Sequence, residues 1–273
     1  MSFTLLPFIA IGLFLLGLVF RKRGFAAFGW VAFAGYSGFV THNCFVNGDY
    51  FYTIVNLAFL VMSLLLAFLM VTATENDELF FSITRIAFIT AALYFPFAEI
   101  PALRDSLIHI TAKITATVLN ILNPGSVYMN TPLSYIYSTY TSCEVEIILA
   151  CTAIESIVLF AGIIFGVNAP MKRKSKAFCV SVPVIYALNI FRNVFVITAY
   201  FEQWFASPSW IRFSHGLVRS TQEQSFDIAH NVLARMGSMV ILIIIAYAVF
   251  MILPEVLDLL DDLFRVIRKK IRM

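Results

Sequence analysis

The sequence predicts an all-α protein that crosses a membrane several times. Hydrophobic residues make up 60% of the chain and charged residues only 13%, with a mean hydropathy of +0.87. Several apolar runs are long enough to span a bilayer as helices, and lysines and arginines cluster at the ends of some of them. A soluble domain of this length has too little interior to bury so much apolar surface, so this class of protein is excluded.

Seven apolar runs have the length of a helix that crosses the hydrocarbon core, which takes about 18 to 25 residues. The predicted spans are residues 3–20, 25–41, 53–73, 83–101, 146–168, 177–201 and 228–253. No basic residue precedes the first run, so we expect a span there rather than a cleaved signal peptide. The runs predict one helical bundle, and residues 1–273 are expected to form a single membrane-embedded domain.

The positions of lysine and arginine predict the orientation of the bundle. The basic clusters follow the first span (Arg21, Lys22, Arg23), the fifth (Lys172, Arg173, Lys174, Lys176) and the seventh (Arg265, Arg268, Lys269, Lys270, Arg272). With seven spans these clusters fall on one side, together with the acidic loop 75–78, and the positive-inside rule makes that side cytoplasmic. We therefore expect the N-terminus outside and a basic cytoplasmic tail over residues 254–273. The net charge of +3 reflects this topology and does not indicate a nucleic-acid partner.

Two longer segments, residues 102–145 and 202–227, are expected to form a small extracytoplasmic cap. The first begins with an amphipathic stretch, "RDSLIHITAKITATVLNIL", and continues through the turn signal "NPGS". Its remaining residues are rich in β-branched and aromatic side chains, which predicts a short hairpin or extended strands. The second segment carries Trp204 and Trp210, a residue type that settles at membrane interfaces.

Three reactive side chains fall at similar depths toward the outer face of the predicted bundle. Cys151 lies one to two turns into the fifth span, and His230 lies in the first turn of the seventh. Arg192 is about 22 Å along the sixth span from its inner end, at about 1.5 Å per residue. An arginine inside a membrane is costly unless it faces a partner or water, whereas a buried cysteine alone is usually a small hydrophobe. The grouping of all three predicts a catalytic site.

A thiol, an arginine and an imidazole together support acyl transfer. The histidine takes the thiol proton and returns it to a leaving amine, while the arginine stabilises the developing oxyanion. The product is a thioester that an amine, a hydroxyl or water resolves. The sequence contains neither H-E-x-x-H nor G-x-S-x-G, and its four histidines are scattered, so we expect no metal and no cofactor.

Three further charged residues lie near the predicted site, and each has two interpretations. Glu155 is either a scaffold residue that pairs with Arg192 or Arg235 in the membrane, or an acid catalyst. Arg235 either shares the oxyanion role or neutralises Glu155. Asp227 either orients the ring of His230 or caps the N-terminus of the seventh helix.

The segments "LACTAIESIVLF", "NIFRNVFVITAY" and "AHNVLARMGS" resemble the exosortase and archaeosortase family of membrane-embedded cysteine transpeptidases, its archaeal branch above all. The likeness covers residues 143–240 and lies in the order, spacing and flanks of the reactive residues. It implies a multi-pass helical fold in which Cys151 is the nucleophile, Arg192 stabilises the oxyanion and His230 is the acid and base. In the archaeal branch an arginine can take the third position, which makes Arg235 the alternative to His230.

The resemblance also implies a substrate and a product. Such enzymes act on secreted surface proteins that end in a motif such as Pro-Gly-Phe, a transmembrane helix and a basic tail. The enzyme cleaves this sorting signal at the outer surface and passes the new C-terminus to a membrane lipid.

Two other classes of function fit the same membrane charges. A transporter or receptor would use the arginines together with Glu155 and Glu99 along a substrate path, although the sequence lacks the paired halves typical of transporters. A membrane enzyme that transfers a lipid or a glycan without cutting a peptide is the third alternative.

Overall fold

The computed structural model describes residues 5–73, 76–130, 134–205 and 221–271. Within these ranges most residues are helical. The α-helices are α1 (Leu6–Phe20), α2 (Arg23–Val46), α3 (Tyr50–Thr72), α4 (Asp77–Glu99), α5 (Pro101–Leu122), α6 (Ile154–Gly166), α7 (Met171–Phe201), α8 (Thr221–Asp227), α9 (Arg235–Ile252) and α10 (Glu255–Ile271). A 3₁₀ turn, Leu149–Thr152, precedes α6, and a π-helical segment, Ile228–Ala234, joins α8 to α9.

The described helices confirm the predicted class, an all-α membrane protein. Among them, α3, α4, α7 and the continuous stretch Glu223–Ile252 are long and apolar enough to cross a membrane. The apolar helices α1 and α6 are shorter, with 15 and 13 residues. The amphipathic stretch after the fourth predicted span forms α5, also as predicted.

A small antiparallel sheet follows α5, where the sequence predicted a hairpin or extended strands. Its strands are β1 (Val127–Asn130), β2 (Tyr135–Ser138) and β3 (Glu144–Glu146), in the order β1-β2-β3. Alternate residues point to opposite faces, so Ile136 is buried while Tyr135 and Tyr137 are partly exposed. A hydrogen bond to the Glu146 carboxylate raises the pKa of Tyr135 above its ordinary value.

Four predicted helix starts are wrong by six residues or more. The fourth helix begins at Asp77 rather than at residue 83, because the residues before the apolar run are already helical. The fifth helix begins at Ile154 rather than at residue 146, because the chain first completes β3 and then the 3₁₀ turn. The sixth begins at Met171, so its basic cluster lies in the helix itself rather than in the loop before it. The seventh begins with α8 at Thr221, since the polar residues before Asp227 also adopt helical geometry. In each case the apolar run marks the membrane-length stretch and not the hydrogen-bonded end of the helix.

The chain divides into two compact units. The first comprises residues 1–99, 158–178 and 250–273, and the second comprises residues 100–157 and 179–249. The core of the first unit is aromatic: the rings of Phe14 and Trp30 lie 5.0 Å apart, and the Trp30 indole N–H donates to the Thr84 hydroxyl at 3.4 Å. Phe80 is wholly buried in the same cluster.

Charged residues near helix ends of the first unit form ion pairs. Arg21 forms an ion pair with Glu78, and Arg23 forms one with Asp77. Arg173, from the second basic cluster, pairs with Glu255 at the start of α10. These pairs place the start of α4 beside the first basic cluster and the start of α10 beside the second.

In the second unit, α5, the sheet and the C-terminal part of α7 form one hydrophobic cluster. Ala112 from α5, Ile136 from β2 and Ile197 from α7 are almost wholly buried there. Asn120 fixes the sheet to α5, because its side-chain amide donates to the Val127 carbonyl at 2.9 Å and its oxygen accepts from the Val127 N–H at 3.2 Å. This packing supports the turn that carries Cys151.

A close contact between α4 and α6 in the first unit makes a testable prediction. A Cβ added at Gly166 would lie 2.8 Å from Ile86 Cα, whereas one added at Gly12 would meet no atom within 4 Å. We expect Gly166→Ala to lower the free energy of unfolding by about 1–3 kcal/mol, because backbone would have to shift. Gly12→Ala is the matched control and should not destabilise the protein. Thermal unfolding of both variants in detergent tests this, and equal stability would contradict the contact.

Candidate active site

Cys151 lies on the 3₁₀ turn between β3 and α6, and not within a long helix as the sequence predicted. The next residue, Thr152, is wholly buried; its hydroxyl donates to the Leu149 carbonyl at 2.7 Å and accepts from the Ile154 N–H at 3.4 Å. Ala153 then adopts a left-handed conformation with φ 59°, which is uncommon for residues other than glycine. The chain therefore turns sharply at Cys151, immediately before α6 begins.

Two asparagines of α7 hold this turn in place. The side-chain amides of Asn189 and Asn193 both donate to the Cys151 carbonyl, at 2.7 and 2.9 Å. Both asparagines are buried. The sequence analysis missed them, although polar residues at positions 189, 192 and 193 of an apolar helix share one face and are a recognisable signal.

Arg192 and His230 are brought together. Arg192 lies on α7 between the two asparagines, and its Nη2 is 3.5 Å from His230 Nδ1. This distance is at the outer limit of hydrogen bonding, so the two groups are neighbours rather than a tight pair. The cation, the imidazole and the Cys151 turn thus meet around one stretch of α7.

His230 lies in the π-helical segment between α8 and α9, and its ring stacks on Phe226. The ring centroids are 5.0 Å apart and the planes differ by 12°. Widened helical turns of this kind occur often at functional sites, because they redirect a side chain without ending the helix. Stacking on one side and Arg192 on another fix the orientation of the imidazole.

Asp227 and Arg235 interact along the same helix through Asn231. The Asn231 amide donates to Asp227, and Arg235 Nη2 donates to the Asn231 side-chain oxygen at 3.4 Å. Asp227 has helical dihedral angles and is the last residue of α8, and its side chain caps no helix among the described residues, so its interpretation as the cap of the seventh helix is wrong. Arg235 is exposed on the helix surface.

Glu155 lies in the first turn of α6 and is exposed. The structure thus places Glu155 at the surface of the protein rather than in its interior. An acidic side chain in the first turn of a helix interacts favourably with the helix dipole.

A cavity of about 320 Å³ lies beside Arg192 within the second unit. Its polar lining comes from Ser156, Asn189, Arg192 and Ser238, and its other walls are apolar. Arg192 therefore links the candidate site to an open space large enough for part of a ligand.

The family model described as transmembrane exosortase matches residues 2–219 of the chain. Archaeosortase A of Natronomonas pharaonis is 34% identical over 176 residues, which cover 60% of this chain and 55% of that protein. Archaeosortase A of Haloferax volcanii is 31% identical over 173 residues, which cover 60% of this chain and 56% of that protein. The chain thus spans little more than half the length of these curated relatives. No solved structure matches it.

The hydrogen bonds from Asn189 and Asn193 to the Cys151 carbonyl should contribute to stability. Asn189→Ala and Asn193→Ala should each lower the free energy of unfolding by about 1 kcal/mol, and the double variant by more than the sum, because the Cys151 carbonyl then loses both side-chain donors. The control is Asn56→Ala, whose amide donates only to the Tyr52 carbonyl of its own helix.

The same variants test whether the asparagines position Cys151. With the other three cysteines replaced by serine, the rate at which a maleimide alkylates Cys151 should rise in the double variant and stay unchanged in Asn56→Ala. A double variant with unchanged stability and alkylation would contradict the role of the two bonds.

Proposed function

This chain belongs to the transmembrane exosortase family, and from that premise we propose that it is a membrane-embedded cysteine transpeptidase. One observation carries the proposal: Arg192 is a neighbour of His230, and the two asparagines that flank Arg192 hold the Cys151 turn. A nucleophile, a proton acceptor and a fixed cation thus occur around one stretch of α7. The similarity of this chain to two proteins named Archaeosortase A supports the same assignment.

In the proposed reaction Cys151 attacks a peptide carbonyl carbon. His230 takes the proton from the thiol as the S–C bond forms, and returns it to the amine as the C–N bond breaks. The released amine is the C-terminal part of the substrate. The remaining part stays on Cys151 as a thioester, until the nucleophile of an acceptor displaces the sulfur.

Arg192 is proposed to stabilise the negative charge that develops on the carbonyl oxygen. A fixed cation in a water-poor site is more effective than one in water, because little solvent screens it. The neighbouring asparagines restrict the movement of the turn relative to α7. The oxyanion that forms when Cys151 attacks a carbonyl is therefore expected close to the Arg192 guanidinium.

The third catalytic role is assigned to His230, with Arg235 as the alternative. The contact between Arg192 and His230 supports this choice. Arg235 lies on the exposed surface of the helix, where it donates to the Asn231 side-chain oxygen. Asp227 is assigned a supporting role at the end of α8, where its carboxylate accepts from the Asn231 amide. Glu155 is assigned a supporting role at the start of α6 and not acid catalysis.

The proposed substrates are secreted surface proteins with a C-terminal sorting signal: a Pro-Gly-Phe-type motif, a transmembrane helix and a basic tail. The proposed acceptor is a membrane lipid. We further propose a single domain with seven spans, an outer N-terminus, a cytoplasmic C-terminus and an active site that faces the extracytoplasmic side. The ion pairs of Arg21 and Arg23 with the start of α4, and of Arg173 with the start of α10, support a shared side for the two partners of each pair.

The proposal predicts that catalysis depends on the Cys151 thiol. Membranes that carry the protein should cut a precursor with a Pro-Gly-Phe-type tail and leave a product whose C-terminal mass includes a lipid. Cys151→Ala should insert normally and leave the precursor whole, because no thioester forms. A cut product without added lipid would indicate a protease. An uncut precursor in both samples would favour the transporter interpretation.

Two variants test whether His230 or Arg235 is the catalytic acid and base. His230→Ala should lower the cleavage rate by about 10²–10⁴-fold, the usual contribution of general acid–base catalysis. Arg235→Ala should cleave at nearly the wild-type rate. Initial rates measured with the same precursor test both statements, and the reverse pattern would move the role to Arg235.

A further inference from the structure

The cavity beside Arg192 is an open groove between two helical walls. One wall is the part of α7 that includes Ile185 and Arg192, and the facing wall runs from Ala234, the last residue of the π-helical segment, to Leu242 of α9. At about 1.5 Å per residue each wall is roughly 10 Å long. Arg192 and Asn189 are the polar residues of the α7 wall, and most of the other lining residues are apolar. An occupant that starts at Arg192 would thus continue along two helices of membrane-spanning length.

Small residues form part of the α9 wall. Ala234, Gly237 and Ser238 all line the groove, and Ser156 and Ala153 line it from the start of α6. Small residues let the backbone of a second helix approach closely, which is how transmembrane helices associate when both are apolar. The walls therefore suit a helix better than a group that needs specific polar partners.

Gly237 faces open space within this groove. A Cβ added there would meet no atom within 4 Å, while Cβ atoms added at Gly162 or Gly166 would collide with α4. Packing against described residues thus accounts for the absence of a side chain at Gly162 and Gly166, but no described residue accounts for it at Gly237. An occupant of the groove can therefore approach the backbone closely at Gly237.

We propose that this groove binds the apolar helix that follows the cleavage site of the substrate. The inference depends on the proposed function, because it takes the scissile carbonyl to lie at Arg192. The chain after a carbonyl held there must continue past Arg192, and the groove provides an apolar path in continuity with that residue. Bound in this way, the helix would position the peptide bond against Cys151, and its release would follow cleavage.

A crosslinking experiment tests the groove without requiring cleavage. The photoreactive residue p-benzoylphenylalanine is placed at position 241, in the groove wall, or at position 243, which is exposed and does not line the groove. Both proteins carry Cys151→Ala, so that bound precursor is not consumed. Light should attach the precursor to position 241 through its apolar helix, and much less to position 243. Equal attachment at both positions, or attachment of lipid alone at position 241, would overturn the proposal.

A matched pair of glycine variants tests the contribution of the groove to turnover. Gly237→Leu should raise the precursor concentration needed for half-maximal cleavage by about tenfold or more, because the side chain occupies the groove. Gly12→Leu, at another exposed helical glycine with open space around it, should have no such effect. An equal rise in this concentration for both substitutions would contradict the proposal that the groove binds the substrate helix.

The two proposals can fail separately. Cleavage by the wild type without crosslinking at position 241 would refute the groove and leave the catalytic assignment. Crosslinking at position 241 with no cleavage by the wild type would refute the transpeptidase assignment and leave a groove that binds a transmembrane helix.

Discussion

The candidate site depends on one pair of hydrogen bonds, those that Asn189 and Asn193 donate to the Cys151 carbonyl. Because both amides come from α7, the turn that carries the thiol is fixed to the same helical stretch that carries Arg192. A carbonyl that accepts from two buried amides cannot move without losing bonds that cost about 1–3 kcal/mol when left unmade. The position of Cys151 is therefore set by α7 and by the buried Thr152 of the turn, more than by the helix that follows it.

Two kinds of element surround this pair of hydrogen bonds: a tightly packed cluster and a widened helical segment. The cluster formed by α5, the sheet and α7 packs against Cys151 and gives the turn a firm base. On the other side, the π-helical segment turns His230 toward Arg192 while α8 and α9 stay continuous. Catalytic groups must keep their relative positions to within about 0.5 Å, and packed helices and strands achieve this better than mobile loops.

The sequence was sufficient to predict the membrane class, α5, the short strands and the grouping of arginine with histidine, because hydrophobic run length and charge position are strong signals. It failed at Cys151, since the apolar run 146–168 is continuous through β3, the 3₁₀ turn and α6, and hydropathy does not distinguish these conformations. It also did not predict the exposure of Glu155, which depends on where α6 begins. The role of Asn189 and Asn193 required the fold, because the bonds join residues 38 and 42 positions apart.

The most direct test of the central claim is to isolate the acyl intermediate. Wild-type protein in detergent, without the lipid acceptor, is mixed with precursor and quenched in acid, and the peptide that contains Cys151 is analysed by mass spectrometry. The account predicts that Cys151 carries the N-terminal part of the substrate, and that neutral hydroxylamine releases it, as expected for a thioester. A precursor that is cut while Cys151 remains unmodified, or an adduct on another residue, would contradict it.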